Sequence, residues 1–273
     1  MTRLLAISDL HVRQPANRRF VEHIRGSKDD WLILGGDIGE SPEDLRFVFD
    51  TLAPRFARLV WVPGNHELWT VEPDGLRGEE RYASYIEVCR SYGVLSPEDP
   101  YERWPGDESQ PPFVIAPLFL LYDYSFRPDS VKAEDAVAWA AEERIVATDE
   151  AVLFPDPYPS RQAWCASRCE ITEKRLDAIP VDVGTILVNH FPLRRDHARL
   201  PRVPRFSIWC GTRRTEEWHV KYRARAVVYG HLHIRQTRLL DGVTFHEVSL
   251  GYTRQWDPDR ADTYVRQIWP PTT

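Results

Sequence analysis

The chain has 273 residues, of which 42% are hydrophobic and 28% charged, and this length allows either one α/β domain with an insertion or two domains. No apolar run approaches the roughly 18 residues of a membrane span, and no charged-then-apolar leader follows Met1, so we expect a cytoplasmic protein with no membrane partner. The net charge of −6 argues against general nucleic-acid affinity, and four scattered cysteines are too few to staple the chain.

The first predicted strand ends on two potential metal ligands. Residues 3–8 are mostly apolar, and Asp9 and His11 follow them, two positions apart. A carboxylate and an imidazole at this spacing, just past the end of a strand, can turn toward one point. The next segment, 15–25, has its apolar residues on one side and is predicted to be a helix that returns the chain to the sheet.

The second predicted strand, within residues 31–40, also ends on a carboxylate. Its apolar run is typical of a strand buried on both faces, and Gly35 and Gly36 permit a sharp turn before Asp37. A single acidic residue after a strand is more often a helix cap or a solvated loop residue. Asp37 is nevertheless our candidate to bridge two metal ions, because similar endings recur along the chain.

A third predicted strand follows a helix with a clear start signal. The Ser-Pro pair at 41–42 suits the N-cap and the first helical position. The strand over 58–62 then leads into Asn65 and His66. The order so far is βαβαβ, and in open sheets of this kind ligands bind beyond the carboxyl ends of the strands.

The strand-and-ligand pattern lapses over residues 68–180, which are predicted to be a cap-like insertion. They contain predicted helices over 79–92, 132–147 and 160–179, a strand over 113–121, and loops rich in proline and aromatic residues at 96–112, 121–130 and 153–164. Loops of this length in a compact domain are usually lids or binding elements. We therefore favour a lid over peripheral padding.

Two features of this insertion have alternative interpretations. The aromatic cluster of Tyr122, Tyr124 and Phe126 either stacks on a planar group of the substrate or forms the core of the insertion, and the sequence favours neither. Cys165 and Cys169 lie four residues apart on a predicted helix and could join a zinc site. No second Cys or His pair stands at a finger spacing, so core packing is favoured.

Two further predicted strands end on histidines. Residues 185–188 precede His190, and residues 226–229 precede His231 and His233. Both segments are short and apolar, like the strands that end on Asp9 and Asp37. The ligand pattern therefore resumes after the insertion.

The C-terminal third also contains a basic loop and a tail. Over residues 191–225, nine arginines and Lys221 outnumber three acidic residues, which gives a local charge of +7 suited to an anion. A hairpin is predicted further on, with its turn at 241–242. The proline-containing tail after Gly251 is predicted to wrap irregularly over the surface.

Five apolar strands thus end on potential metal ligands. One such ending carries little weight, since a lone histidine after a strand is usually satisfied or solvated. Five in one chain are difficult to attribute to chance. Carboxylate, imidazole and amide ligands together suit Mn²⁺, Fe²⁺ or Zn²⁺, and the chain has enough of them for two ions.

These endings resemble, in the same order, the five sequence blocks of the calcineurin-like metallophosphoesterase superfamily. The blocks are Asp9-Leu10-His11, Gly36-Asp37, Gly64-Asn65-His66-Glu67, Asn189-His190 and Gly230-His231-Leu232-His233. The resemblance implies a single domain over residues 1–273, which is a four-layer α/β/β/α sandwich with phosphoesterase activity. It also implies a first metal held by Asp9, His11 and His233, a second held by Asn65, His190 and His231, and Asp37 as the ligand shared by both. One small departure is Glu67, which stands where Asp is common.

The implied chemistry depends on two divalent cations about 3.5–4 Å apart, which would activate a hydroxide and polarise a phosphoryl oxygen for in-line attack. His66 directly follows the ligand Asn65 and can reach the site without coordinating. We therefore assign His66 as the general acid toward the leaving oxygen, oriented by Glu67 or Asp37. The alternative is that His66 only supports a metal ligand.

The predicted substrate is a small phosphomonoester or phosphodiester. Arg194 and Arg195 follow His190 closely and are candidates to contact phosphate oxygens, while Tyr122 and Tyr124 are candidates to contact the leaving group. A nuclease is less favoured, because the chain is acidic and lacks a continuous basic and aromatic track. A non-catalytic scaffold on this fold is expected to have lost ligands. The sequence predicts neither the natural substrate nor the oligomeric state.

Overall fold

Two β-sheets form the centre of the computed structural model, which describes residues 2–72, 75–106 and 111–271. The strands are β1 (Leu4–Ile7), β2 (Trp31–Leu34), β3 (Arg58–Trp61), β4 (Glu102–Arg103), β5 (Phe113–Pro117), β6 (Gly184–Val188), β7 (Ala224–Tyr229), β8 (Gln236–Leu240), β9 (Val243–Glu247) and β10 (Arg266–Trp269). One sheet has the order β10-β1-β2-β3, and the other has the order β4-β5-β6-β7-β9-β8. Within each sheet the central strands are parallel. Part of the predicted loop at 96–112 lies outside the described residues.

Alternate side chains of the sheets build two buried layers. Leu4 and Ala6 of β1 pack with Val188 of β6 and Val228 of β7 in a core between the sheets. Leu5 points the other way, into the core that the outer helices cover. Because both faces of these strands are buried, their sequences are nearly continuous apolar runs. The predicted four-layer α/β/β/α sandwich is confirmed.

The helices cover the outer faces of the sheets. They are α1 (Pro15–His23), α2 (Pro42–Leu52), α3 (Asn65–Leu68), α4 (Gly78–Tyr92), α5 (Ala136–Glu142), α6 (Asp149–Val152), α7 (Arg161–Asp177) and α8 (Trp218–Lys221). The predicted start of α2 is confirmed, since Ser41 Oγ accepts the N–H of Asp44 at 3.3 Å and the Asp44 carboxylate accepts the N–H of Ser41 at 3.1 Å. In the described part of the chain, no helix combines the length and apolar character needed to cross a bilayer.

Two predicted elements within residues 68–180 are shorter in the structure. The strand predicted over 113–121 ends at Pro117, and the helix predicted over 132–147 is reduced to α5. Arg144 adopts a left-handed backbone with φ of 59°, which an α-helix cannot continue through. Since β5 lies beside β6 in the six-stranded sheet, part of the predicted insertion belongs to the sandwich itself. Both Cys165 and Cys169 are fully buried, as core packing predicts.

The C-terminal tail is not the irregular surface wrap that the sequence predicted. Residues Arg266–Trp269 form β10, which pairs antiparallel with β1, and Ile268 is only 2% exposed. The prediction was wrong because prolines at 258, 270 and 271 flank this strand without interrupting it. The last strand of the chain therefore covers the edge of the first.

Candidate metal centre

The predicted ligands meet where the carboxyl ends of strands from both sheets approach each other. Ser8 joins the two sheets, because its N–H donates to Val248 at 3.1 Å and its carbonyl accepts the N–H of Leu250 at 2.8 Å. The four-stranded sheet contributes Asp9, His11 and Asp37, and the six-stranded sheet contributes His190, His231 and His233. Asn65 follows β3 of the four-stranded sheet, so both sheets supply predicted ligands.

Ligand atoms of these residues form three overlapping groups, in each of which all atoms lie within 4.8 Å of one another. The groups are Asp9 with His11 and His233, then His11 with Asp37 and His66, and finally Asp37 with His190 and His231. The first and third groups correspond to two metal positions. Asp37 belongs to the second and third groups, so it is grouped with His11 of the first predicted position and with His190 and His231 of the second.

The first position is built around Asp9. His233 Nε2 lies 3.0 Å from Asp9 Oδ1 and 3.3 Å from His11 Nε2. On its far side, His233 Nδ1 contacts Gln255 Oε1 at 2.8 Å, which leaves Nε2 as the ring nitrogen that faces Asp9 and His11. Burial raises the pKa of Asp9, but the neighbouring histidines outweigh it and hold that pKa below its usual range. This set offers an ionised carboxylate and imidazole nitrogens to a cation.

The second position contains buried polar atoms that form no hydrogen bond with the described residues, although one of them, His190 Nε2, lies within ion-pair distance of Asp37. Among the described residues, nothing hydrogen-bonds to Asn65 Oδ1, His190 Nε2 or His231 Nε2. His190 Nδ1 donates to the Gly35 carbonyl at 2.9 Å, so its Nε2 is left facing Asp37 Oδ2 at 3.4 Å. Burial lowers the pKa of His231 to about 3, which keeps its imidazole neutral. Orphaned oxygen and nitrogen atoms of this kind fit a divalent cation.

The backbone that presents these ligands is strained. Five of them have left-handed backbones, with φ between 41° and 70°: Asp9, His11, Asp37, His231 and His233. Such conformations cost of order 1–3 kcal/mol each and cluster at functional sites. Gly36 also has a positive φ, of 90°. A side chain would not fit at this position, because its Cβ would lie 2.7 Å from His190 Nδ1. The strand ends turn sharply in order to aim these side chains inward.

His66 lies beside the bridging carboxylate, in a position suited to proton transfer. The backbone N–H of His66 donates to Asp37 Oδ1 at 3.0 Å, and the ring nitrogen Nε2 is 3.8 Å from Asp37 Oδ2. Its Nδ1 is 3.3 Å from Glu40 Oε1, and its ring packs on Trp69 with centroids 3.6 Å apart. Burial opposes protonation, but Asp37 and Glu40 together raise the pKa of His66 above its usual value.

Of the two residues expected to orient His66, Asp37 faces its ring, whereas the carboxylate of Glu67 forms no hydrogen bond with that ring among the described residues. The buried Glu67 carboxylate accepts the N–H groups of Asp37, Ile38 and Gly64 at 3.0, 2.7 and 2.8 Å. Burial and the nearby Asp37 raise the pKa of Glu67 to about 7. Glu67 therefore fixes the loop that carries Asp37, whereas Glu40 provides the contact to His66.

Of the predicted substrate residues, the two tyrosines are buried and the two arginines are half-buried. Tyr122 is fully buried, and Tyr124 is 5% exposed with its hydroxyl bonded to Glu150 at 2.8 Å. These rings pack as the core of the insertion, the second of the two alternatives. Arg194 is tied to Asp196 at 3.0 Å and to the Glu216 carbonyl at 2.8 Å.

Arg195 lies at a cavity of about 870 Å³. Arg199 and Arg205 line the same cavity, together with Trp139 and Leu200. The carboxylates of Glu143, Asp196 and Glu216 also line it, so the cavity combines charged groups of both signs with apolar walls. Substrate contact by Arg194 or Arg195 stays a prediction.

The sequence predicts no role for several residues that contact the proposed ligands or His66 on the side away from the site: Glu40, Asp149, Ser249 and Gln255. Glu40 was within reach of the sequence, since it follows Asp37 by three residues. The other three were not, because nothing in their local sequence relates them to ligands far away in the chain.

Comparisons with known proteins agree with this geometry. The family model of calcineurin-like phosphoesterases matches residues 2–235. The acyl-carrier-protein phosphodiesterase PptH of Mycobacterium tuberculosis is 45% identical over 271 residues, which are 98% of this chain and 83% of that protein. The crystal structure of phosphopantetheinyl hydrolase (PptH) from Mycobacterium tuberculosis matches with a TM-score of 0.94 at 44% identity, covering 99% of this chain and 96% of the other.

Proposed function

Because this chain belongs to the calcineurin-like phosphoesterase family and is a metal-dependent phosphate-ester hydrolase, we propose that it cleaves the phosphodiester between phosphopantetheine and an acyl-carrier protein. The observation that carries the proposal is the 45% identity to an acyl-carrier-protein phosphodiesterase over 98% of the chain. The proposed substrate is a protein-linked phosphate ester, in contrast to the small free ester that the sequence alone suggested.

Two divalent cations, drawn from Mn²⁺, Fe²⁺ or Fe³⁺ and Zn²⁺, are the proposed cofactors. Asp9, His11 and His233 would hold one, Asn65, His190 and His231 would hold the other, and Asp37 would be shared. When bound, they supply a nucleophilic hydroxide at neutral pH and positive charge for the phosphoryl oxygens. The orphaned Asn65 oxygen and histidine nitrogens support this assignment.

His66 is the proposed general acid. Cleavage at the carrier protein expels an alkoxide, which is a poor leaving group and needs a proton as the bond breaks. The His66 ring is held between Glu40 and Trp69, with Nε2 on the side of Asp37. From there it can deliver the proton to the leaving oxygen and regain one from water.

The arginine-lined cavity is the proposed place for the substrate beyond its phosphate. The 3-10 turn Pro204–Trp209 forms part of its wall, and Phe206 in that turn stacks on the ligand His231 with centroids 5.9 Å apart. The cavity is thus linked to the second metal position through one side chain. Within the described residues, the Arg195 and Arg199 guanidinium groups form no ion pair, which leaves both available to an anionic substrate.

We also propose a reducing, cytoplasmic location. All four cysteines are buried free thiols, although Cys165 and Cys169 share one helix face. Disulfides are rare in reducing compartments. This agrees with the few, scattered cysteines of the sequence.

The test is release of phosphopantetheine from purified holo acyl-carrier protein, followed by intact-protein mass spectrometry with Mn²⁺, Fe²⁺ or Zn²⁺ in turn. We expect conversion of the holo to the apo form by the wild type, none by Asp37→Asn, and normal conversion by the control Asp177→Asn at the exposed end of α7. Hydrolysis of bis-p-nitrophenyl phosphate with the holo protein left intact would overturn the substrate while retaining the reaction class.

A further inference from the structure

The short helix α6 packs against the residues that follow α3. Its residue Val152 accepts the N–H of Thr70 at 2.8 Å, and Leu153 just after it pairs with Trp69 across an isolated β-bridge. Trp69 and Thr70 follow α3, the helix that carries Asn65 and His66. A segment some eighty residues later in the chain is therefore fixed against the part of the site that holds both a proposed ligand and the proposed acid.

Asp149, the first residue of α6, contacts Asn65 itself. Its carboxylate is 2% exposed, and Oδ1 accepts Asn65 Nδ2 at 3.0 Å. The Asn65 amide has one oxygen, and because its nitrogen is held by a carboxylate, that oxygen must point the opposite way. There it is buried, and it has no hydrogen-bond partner in the described ranges. A carboxylate partner thus selects the orientation in which Asn65 offers oxygen to the second metal position.

The same oxygen of Asp149 also anchors Trp69. Trp69 Nε1 donates to Asp149 Oδ1 at 2.7 Å, and the indole ring lies against the His66 imidazole with centroids 3.6 Å apart and planes inclined by 34°. One buried acceptor therefore fixes the amide of a ligand and the surface on which His66 rests.

We propose that Asp149 is a positioning residue of the dinuclear centre, which orients Asn65 toward the second cation and holds the Trp69 ring against His66. The inference rests on the two-metal site and not on the carrier-protein substrate. Groups behind metal ligands fix their orientation, and losing one typically weakens metal binding by about 10–100-fold.

The neighbouring Glu150 provides a matched control. It lies on the same turn, but it accepts Tyr124 Oη at 2.8 Å, Trp209 Nε1 at 2.7 Å and an Arg161 nitrogen at 2.9 Å. None of these partners is a proposed ligand. Removing the Glu150 carboxylate should disturb the packing of the insertion to a similar degree while leaving Asn65 in place.

The experiment is titration of the metal-free protein with Mn²⁺, read by calorimetry and by the electron paramagnetic resonance signal of the coupled Mn²⁺ pair. We expect two equivalents in the wild type. In Asp149→Ala the first ion should bind normally and the second about 10–100-fold more weakly, with loss of the coupled signal at two equivalents. Asp149→Asn keeps an acceptor oxygen and should restore the signal, and Glu150→Ala should bind both ions like the wild type.

The proposal would be overturned if Asp149→Ala bound both ions as tightly as the wild type does, or if Glu150→Ala weakened binding of the second ion equally. If Asp149→Ala does not fold, Asp149→Ser replaces it, because serine is also too short to reach the Asn65 amide. A wild type that binds fewer than two ions would remove the metal centre and this role together. The metal titration contains no substrate. Its result therefore does not depend on whether the protein hydrolyses the carrier-protein phosphodiester.

Discussion

Several of the proposed ligands are held, on the side away from the proposed metal positions, by a contact that determines which atom faces those positions. His190 donates Nδ1–H to the Gly35 carbonyl, and His233 contacts Gln255 through Nδ1. Both therefore present Nε2 inward. Asp9 is held similarly, since its Oδ2 accepts the hydroxyl groups of Ser8 at 2.5 Å and Ser249 at 2.7 Å. The chemistry of the centre thus depends on residues that never touch a metal.

Replacing His66 should have an effect that depends on the leaving group. In His66→Gln, we expect kcat for an alkyl phosphodiester to fall by about 10²–10⁴, because the leaving alkoxide loses its proton donor. Turnover of bis-p-nitrophenyl phosphate should fall much less, since p-nitrophenolate leaves without protonation. The comparison is measured by steady-state kinetics on both substrates with equal metal loading.

Glu40→Gln serves as the companion variant, because it retains His66 but weakens the contact at Nδ1. In Glu40→Gln, kcat for the alkyl phosphodiester should again fall more than turnover of bis-p-nitrophenyl phosphate, but by a smaller factor than in His66→Gln. Equal losses on both substrates in His66→Gln, with altered metal content, would instead mean that His66 only supports a ligand.

Among the elements, the strands that end on ligands and the hairpin of β8 and β9 could be predicted, whereas the edge strands β4 and β10 could not. β1, β2 and β3 are short apolar runs followed by polar residues, so pattern and chemistry agree. β10 was missed, because Arg266 and Gln267 begin it and only Ile268 and Trp269 are apolar, while its partner is at the other end of the chain. An edge strand of this kind is specified by long-range pairing and leaves little local pattern.

The same limit applies to the contacts behind the ligands. Motif spacing predicts which residues converge, since each follows a strand end. It cannot predict that Asp149 meets Asn65, because that contact depends on how α6 packs against α3. Tyr122 and Tyr124 illustrate the reverse case, since an aromatic cluster looks the same in sequence whether it is core or binding surface.

Removing the side chain of Ile268 should show that β10 is structural. Ile268 packs in the core between the sheets, so Ile268→Ala loses buried apolar contacts and should lower the free energy of unfolding by about 2–5 kcal/mol. Gln267→Ala on the same strand, at a half-buried position, should cost less than about 1 kcal/mol. Urea unfolding followed by circular dichroism measures both. Equal effects would place the tail outside the core.

In the molecule as a whole, cations bound at the proposed metal positions would have ligands from both sheets. Asp9, His11 and Asp37 belong to one sheet, and His190, His231 and His233 belong to the other. The left-handed backbones of five of these ligands and the orphaned atoms of the second position are costs that the folded chain bears without a cation. Cations at both positions would offset them by neutralising the buried carboxylates and partnering the free nitrogens.

Metal removal should therefore lower the thermal stability of the whole protein. Each site occupied at about 100 times its Kd adds about 2.7 kcal/mol, which for a chain of this length raises Tm by on the order of 5–10 °C. We expect differential scanning calorimetry to show a lower Tm after dialysis against a chelator, restored by two equivalents of Mn²⁺. In Asp37→Asn, which lacks the shared carboxylate, Mn²⁺ should raise Tm by only a small part of the wild-type amount. A wild-type Tm that does not respond to metal would mean that the ligands of the two sheets do not share cations.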